Sequence, residues 1–174
     1  MPNTSDPFYI LVIADTHVTT IEQLPANLPQ LANEAHCVVH CGDFTDMKVV
    51  RELRNLSKRF IGVYGNTDSI EVKQNLPYES FFEVQGKRIA VTHPFFGGPP
   101  WGLEDELAGK YTDADIILFG HTHDALVVEK NDKLLLNPGQ GYPIFVHRAT
   151  VGILKFTNGE VQAHISPLEN AILS

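Results

Sequence analysis

Residues 8–14 form an unbroken apolar run, the pattern of a strand buried on both faces. It is too short to cross a membrane. Residues 37–40 and 60–64 repeat the pattern. Between the first two runs, residues 20–34 have helical character but contain Pro25 and Pro29, which predicts a short or broken helix. Val49, Val50, Leu53 and Leu56 follow helical spacing within residues 46–59, and Asp46 can cap that helix. The first half therefore reads as βαβ-like.

The second half changes character. Residues 81–84 and 89–92 flank Gln85-Gly86-Lys87, a predicted hairpin. Residues 103–110 can form a helix leading to a buried strand at 116–119. Two further hairpins are predicted. One joins residues 125–129 to 134–136 through Asn131-Asp132, and the other joins 151–156 to 161–165 through Asn158-Gly159. An α/β fold of two mixed sheets packed face to face, with helices outside, accommodates both halves. With 174 residues and no linker-like break in composition, residues 1–174 are expected to form one domain.

The polar residues matter most where the apolar runs end. Asp15 and His17 follow the first strand, Asp43 the second and Asn66 the third, while His93, His121 and His123 follow later strands. Parallel strands deliver their ends to one sheet edge, so these side chains are expected to converge. Carboxylates, imidazoles and a neutral amide oxygen form a ligand set suited to two divalent cations, with one carboxylate to share. The combination, rather than any one cluster, carries the inference.

Composition narrows the function further. A formal net charge of −8 disfavours a nucleic-acid-binding surface, but not a phosphate substrate, because bound cations can dominate the local field. The two cysteines, Cys37 and Cys41, share one apolar strand. A strand holds them too far apart to bridge, and reduced core cysteines fit a cytoplasmic protein. Residues 1–7 lack a basic region and a long apolar core, so no secretory signal is expected.

Asp15-Thr16-His17, Gly42-Asp43, Gly65-Asn66-Thr67-Asp68, His93 and Gly120-His121-Thr122-His123 occur in the order that marks calcineurin-like metallophosphoesterases. Together with Asn137-Pro138-Gly139, the chain most resembles the small microbial phosphodiesterase branch, to which the retromer scaffold subunit is related. The resemblance implies an αββα sandwich with the metals at one sheet edge. One metal would take Asp15, His17, Asp43 and His123, and the other Asp43, Asn66, His93 and His121, with Asp43 bridging. Manganese is the first expectation, with iron, zinc, nickel or cobalt as alternatives. The implied activity is hydrolysis of a small phosphoester, a diester rather than a monoester, by a metal-activated water. The implied catalytic set is Asp43, Asn66, Thr67, Asp68 and His93. The alternative is a non-catalytic scaffold on the same fold; retention of all seven ligands favours an enzyme.

Several residues depart from the family pattern or lie outside it. Val18 replaces the usual Gly after Asp-x-His, and Pro94-Phe95 follows His93 where relatives often have Gly-His. Thr67 stands where many family phosphatases carry a His. Its hydroxyl can donate to phosphate but is a poor general acid near neutral pH. Asp68 can either orient a neighbour or cap residues 69–74. His40 is read as a core residue or a hydrogen-bond partner of a ligand, His147 and Arg148 as an anion contact or surface charges, and His36 and His164 as structural. The aromatic loop at residues 95–101 reads as a substrate wall, a self-packed loop or the interface of a homo-oligomer.

Overall fold

The computed structural model describes residues 6–95, 101–143 and 148–173. Phe96 to Pro100 of the aromatic loop, His147 and residues 1–5 lie outside the described residues.

Two five-stranded mixed sheets build the fold. The first runs in the order β10 (Glu160–Pro167), β9 (Thr150–Thr157), β1 (Phe8–Ile13), β2 (Cys37–His40) and β3 (Phe60–Gly62). The second runs β4 (Glu79–Val84), β5 (Lys87–Thr92), β6 (Ile116–Phe119), β8 (Lys133–Asn137) and β7 (Leu126–Lys130). β1, β2 and β3 are parallel, as are β5, β6 and β8.

Alternation along the buried strands explains the layering. Leu11 and Ile13 of β1 join a core shared with α1 (Leu28–Glu34) and α2 (Met47–Leu56), while Ile10 and Val12 point into the core between the sheets. On the far side of the second sheet, Ala90 and Ile117 pack with Leu107 and Tyr111, of and just beyond α4 (Leu103–Lys110). The order helix, sheet, sheet, helix is the sandwich expected. A strand feeding two cores needs apolar residues on both faces.

The proline-rich segment resolves as a 3₁₀ turn, Ile21–Gln23, followed by α1 with a proline in its first turn. Asp46 caps α2 by accepting the Lys48 N–H at 2.7 Å. Other boundaries shift. β3 ends at Gly62, although Val63 still donates to the His40 carbonyl at 3.1 Å. The last hairpin is longer than its pattern, and β9 pairs antiparallel with β1, placing Phe8 opposite Phe156. The C-terminal hairpin thus completes the N-terminal sheet, a long-range pairing that local periodicity does not encode. α3 (Ile70–Asn75) is capped by Ser69, whose side chain accepts the Val72 N–H, so Asp68 is not the cap.

Among the described residues, no helix is long and apolar enough to cross a membrane. Cys37 and Cys41 are both buried and free.

Candidate metal centre

The ends of β1, β2, β3, β5 and β6 meet at one edge of the sandwich, and all seven predicted ligands gather there. The β1 and β2 ends are tied first. Asp15 N–H donates to Gly42 O at 3.0 Å and His17 N–H to Asp43 O at 3.1 Å. The loops turn sharply: Asp15, His17, Asp43, His121 and His123 all have left-handed backbone, with φ of 49°, 46°, 60°, 81° and 61°. Five non-glycine residues in that region at one site is backbone strain of the kind that the surrounding structure must hold in place. Gly42, at φ 96°, lets the β2 end pass His93: a Cβ there would lie 2.5 Å from the His93 Nδ1.

Two groups of donor atoms share Asp43. In the first, His17 Nε2 lies 3.6 Å from Asp43 Oδ2, 4.0 Å from Asp15 Oδ1 and 3.3 Å from His123 Nε2. His123 Nε2 is 3.5 Å from Asp15 Oδ1. In the second, His93 Nε2 lies 3.5 Å from Asp43 Oδ2 and 3.1 Å from Asn66 Oδ1, which is also 3.1 Å from His121 Nδ1. The ligating atoms of Asp15, His17 and His123 fall within 4.8 Å of one another, as do those of Asp15, Asp43 and His93.

A second layer fixes these groups. His93 Nδ1 is 2.7 Å from Cys41 O; a carbonyl only accepts, so Nδ1 carries a proton, and Nε2, facing Asp43 and Asn66, is the nitrogen that would give up its own proton to a cation. Asp68 is buried and does not line the cluster. It accepts N–H bonds from Asp43 at 3.1 Å, Thr45 at 2.7 Å and Gly65 at 2.7 Å, clasping the β2 and β3 ends together. Thr67 donates its N–H to Asp43 Oδ1 at 2.9 Å, and its hydroxyl lies 3.4 Å from His17 Nδ1. His40 is fully buried against Phe44. Its Nδ1 accepts the Gly42 N–H at 3.2 Å, and its Nε2 lies 3.1 Å from the Thr16 hydroxyl. It thus supports the ligand loops that follow β1 and β2.

The electrostatics follow from burying like charges. Burial pushes Asp15 up to about 6, against the pull of His93 and His123. Burial also opposes ionisation of Asp43, but hydrogen bonds from His93 and Thr67 outweigh it and hold that carboxyl below the usual carboxylate range. Burial lowers His17 and His121, and drives His40 well below the ordinary histidine value. Burial would lower His93 too, yet its bond to Asp43 and the Asp15 and Asp43 charges raise it.

The donor set fits divalent cations. Carboxylate oxygens, an amide oxygen and imidazole nitrogens converge on each other, with Asp15 fully buried. Buried anionic oxygens facing lone pairs are costly without a positive centre, and mixed nitrogen and oxygen ligation suits first-row transition ions.

His36 and His164 lie apart from this centre. His36 Nδ1 accepts the Tyr9 N–H at 3.0 Å and stacks on Phe8, and His164 sits on β10. Arg148 pairs with Glu169 at 3.4 Å. Phe95 packs edge-on against Tyr78 with centroids 5.5 Å apart, whereas Trp101 is 86% exposed. A cavity of about 500 Å³ beside β4 shares no lining residue with the centre; its Lys110 and Tyr111 already engage Glu79. Sequence reasoning missed Tyr142, whose ring meets His17 and His123 edge-on at centroid distances of 5.4 and 6.4 Å. No local pattern marks that residue.

Comparison with known proteins agrees with this architecture. Residues 8–159 match the calcineurin-like phosphoesterase superfamily domain, and the chain belongs to that superfamily. It is 31% identical over 161 residues to a probable metallophosphoesterase of Methanocaldococcus jannaschii, covering 91% of this chain and 80% of that protein. It is also 31% identical over 129 residues to a phosphodiesterase of the same archaeon, covering 67% and 74%. Among solved structures, vacuolar protein sorting 29 of Cryptosporidium parvum shares the fold with a TM-score of 0.74. Its identity is 23%, over 92% of this chain and 97% of that one.

Proposed function

We propose that this protein is a metal-dependent phosphodiesterase of the cytoplasm, working with two divalent cations, manganese first among them. The observation that carries the reading is Asp43 Oδ2, 3.6 Å from His17 Nε2 and 3.5 Å from His93 Nε2, a carboxylate placed to serve both donor groups. Asp15, His17, Asp43 and His123 would hold one cation; Asp43, Asn66, His93 and His121 the other. When bound, such a pair supplies Lewis acidity toward phosphate oxygens and activates water for in-line displacement.

The protein's own residues set the geometry. Thr67 N–H and Asp68 fix Asp43 and the loops around it. Cys41 O fixes the tautomer of His93. Thr67 has no titratable proton near neutral pH, so leaving groups that need no protonation should be favoured. A diester with a good leaving group meets that condition, and a relative carries the phosphodiesterase name.

A scaffold role is the second reading, since vacuolar protein sorting 29 shares the fold. That likeness concerns the fold alone, and the full donor set favours catalysis. The experiment is metal analysis paired with hydrolysis of bis(p-nitrophenyl) phosphate, before and after chelation and after Mn²⁺ is restored. Two cations per chain with activity lost and regained are expected. A chelated protein with undiminished activity, or a manganese-loaded one with none, would reject the reading.

A further inference from the structure

The segment from Asn137 to Tyr142 links two of the ligand-bearing loops, those that follow β1 and β6. At one end, the buried Asn137 amide donates to Gly120 O at 3.3 Å and to the Thr122 hydroxyl at 2.9 Å, and its Oδ1 accepts the Gly139 N–H at 2.9 Å. It therefore grips the turn that carries His121 and His123, both in left-handed conformation. In the middle, Gly141 N–H donates to Ala14 O at 2.8 Å and lies 3.2 Å from Asp15 O. The contact is close: a Cβ on Gly141 would lie 2.7 Å from Thr16 Cγ2. At the far end, Tyr142 sets its ring edge-on against His17 and His123. The Thr150 hydroxyl and N–H anchor the segment to β9 through Pro138 O at 2.7 Å and Gln140 O at 2.9 Å.

From these contacts we infer that Asn137–Tyr142 is a strap that positions the metal ligands, and that Tyr142 is a positioning residue for the His17 and His123 pair. The inference rests on the dinuclear reading above and adds which residues outside the ligand set govern each cation. A left-handed His has no backbone preference for its place, and His17 and His123 are part-exposed, so their rings need lateral support. Tyr142 supplies it to both rings at once. Its grip falls on one donor group only, because neither His93 nor His121 touches it among the described ring contacts. The Asn137 grip falls on both groups, because its turn carries one ligand of each.

The test is titration of the chelated full-length protein with Mn²⁺ by calorimetry, using His17→Ala and His121→Ala to mark the two binding steps. Tyr142→Ala should weaken by about 10-fold the step that His17→Ala abolishes and spare the other, the lower end of what loss of a ligand-orienting partner costs. Tyr142→Phe keeps the ring and should bind as wild type does. Thr122→Val cuts one Asn137 bond without emptying a buried site and should weaken both steps modestly. In the metal-free protein, Tyr142→Ala should also shift the His17 and His123 imidazole proton resonances and leave those of His93 in place. Unchanged steps in Tyr142→Ala, equal weakening of both, or a Phe variant as weak as the Ala variant would overturn the inference while leaving the dinuclear reading intact. A wild-type chain that takes up no second cation would overturn the dinuclear reading, and the inference with it.

Discussion

The two halves of the centre use the same imidazole chemistry and hold it by different means. The His93 side chain is fully buried and pinned by Cys41 O at 2.7 Å, just past the end of β5. His17 and His123 are 21% and 35% exposed, stand on left-handed backbone, and meet an exposed threonine and a part-buried tyrosine instead of a core carbonyl. A buried imidazole with one fixed tautomer is already organised for its ligand. An exposed ring on strained backbone depends on neighbours that can be removed one at a time. The half that holds His93, called the buried half although His121 in it is part-exposed and left-handed, is therefore expected to set the strength of the centre, and the open half, that of His17 and His123, its adjustability. Asp43 belongs to both and should be the point where the distinction collapses.

Asp43→Asn tests that collapse and should have the largest effect. The substitution keeps the shape but removes the charge shared by both donor groups. Loss of at least one cation is expected, with turnover falling about 10³-fold, equivalent to about 4 kcal/mol of transition-state stabilisation. Metal counting and steady-state rates on an aryl phosphodiester measure it. Two cations at wild-type rate would remove Asp43 from its bridging position.

Gly42→Ala should strike the buried half selectively. The new Cβ would press on the His93 ring, 2.5 Å from Nδ1, at a backbone angle that L-residues rarely adopt. Crowding and strain together should cost about 3 kcal/mol of stability, read by urea unfolding of the chelated protein. The cation step that His121→Ala abolishes should weaken more than the step that His17→Ala abolishes. Equal weakening of both would show that the halves are not separable through the core.

How much of this was legible beforehand depends on the range of the forces involved. Residues 8–14 and 37–40 announced buried strands because two-sided burial demands continuous apolar sequence, and their polar ends announced a site because parallel strands share an edge. The family order of those ends named the expected donor groups. The pairing of Phe8 with Phe156 was not legible, since it joins opposite ends of the chain. Nor was the left-handed backbone at Asp15, His17 and Asp43, because those residue types carry no obligation to adopt it. Asp68 was ambiguous between a cap and an orienting group. The structure resolves it because Ser69 occupies the cap, leaving the Asp68 carboxylate to three backbone donors. Tyr142 had no signal, being one aromatic residue whose meaning exists only where two other loops meet it.

Thr67→Val should produce the smallest effect and says most about the open half. Valine keeps the shape and the backbone N–H that donates to Asp43 Oδ1 at 2.9 Å, and removes only the hydroxyl 3.4 Å from His17 Nδ1. A long contact to an exposed group should count for less than an ordinary ligand-orienting bond, so affinity at the step marked by His17→Ala is expected to fall about 3-fold, below the usual 10–100-fold range. The same variant tests where the leaving-group proton comes from. A hydroxyl occupied with His17, and a poor acid besides, cannot protonate a departing alkoxide. Wild-type rates should then depend steeply on leaving-group pKa, aryl diesters far outpacing alkyl ones, and Thr67→Val should lower both by the same factor. General acid catalysis contributes about 10²–10⁴-fold where it operates, so a selective fall for alkyl diesters would be plain in the series. That selective fall would place the Thr67 hydroxyl on the leaving group and make the open half catalytic in its own right, rather than a support for His17.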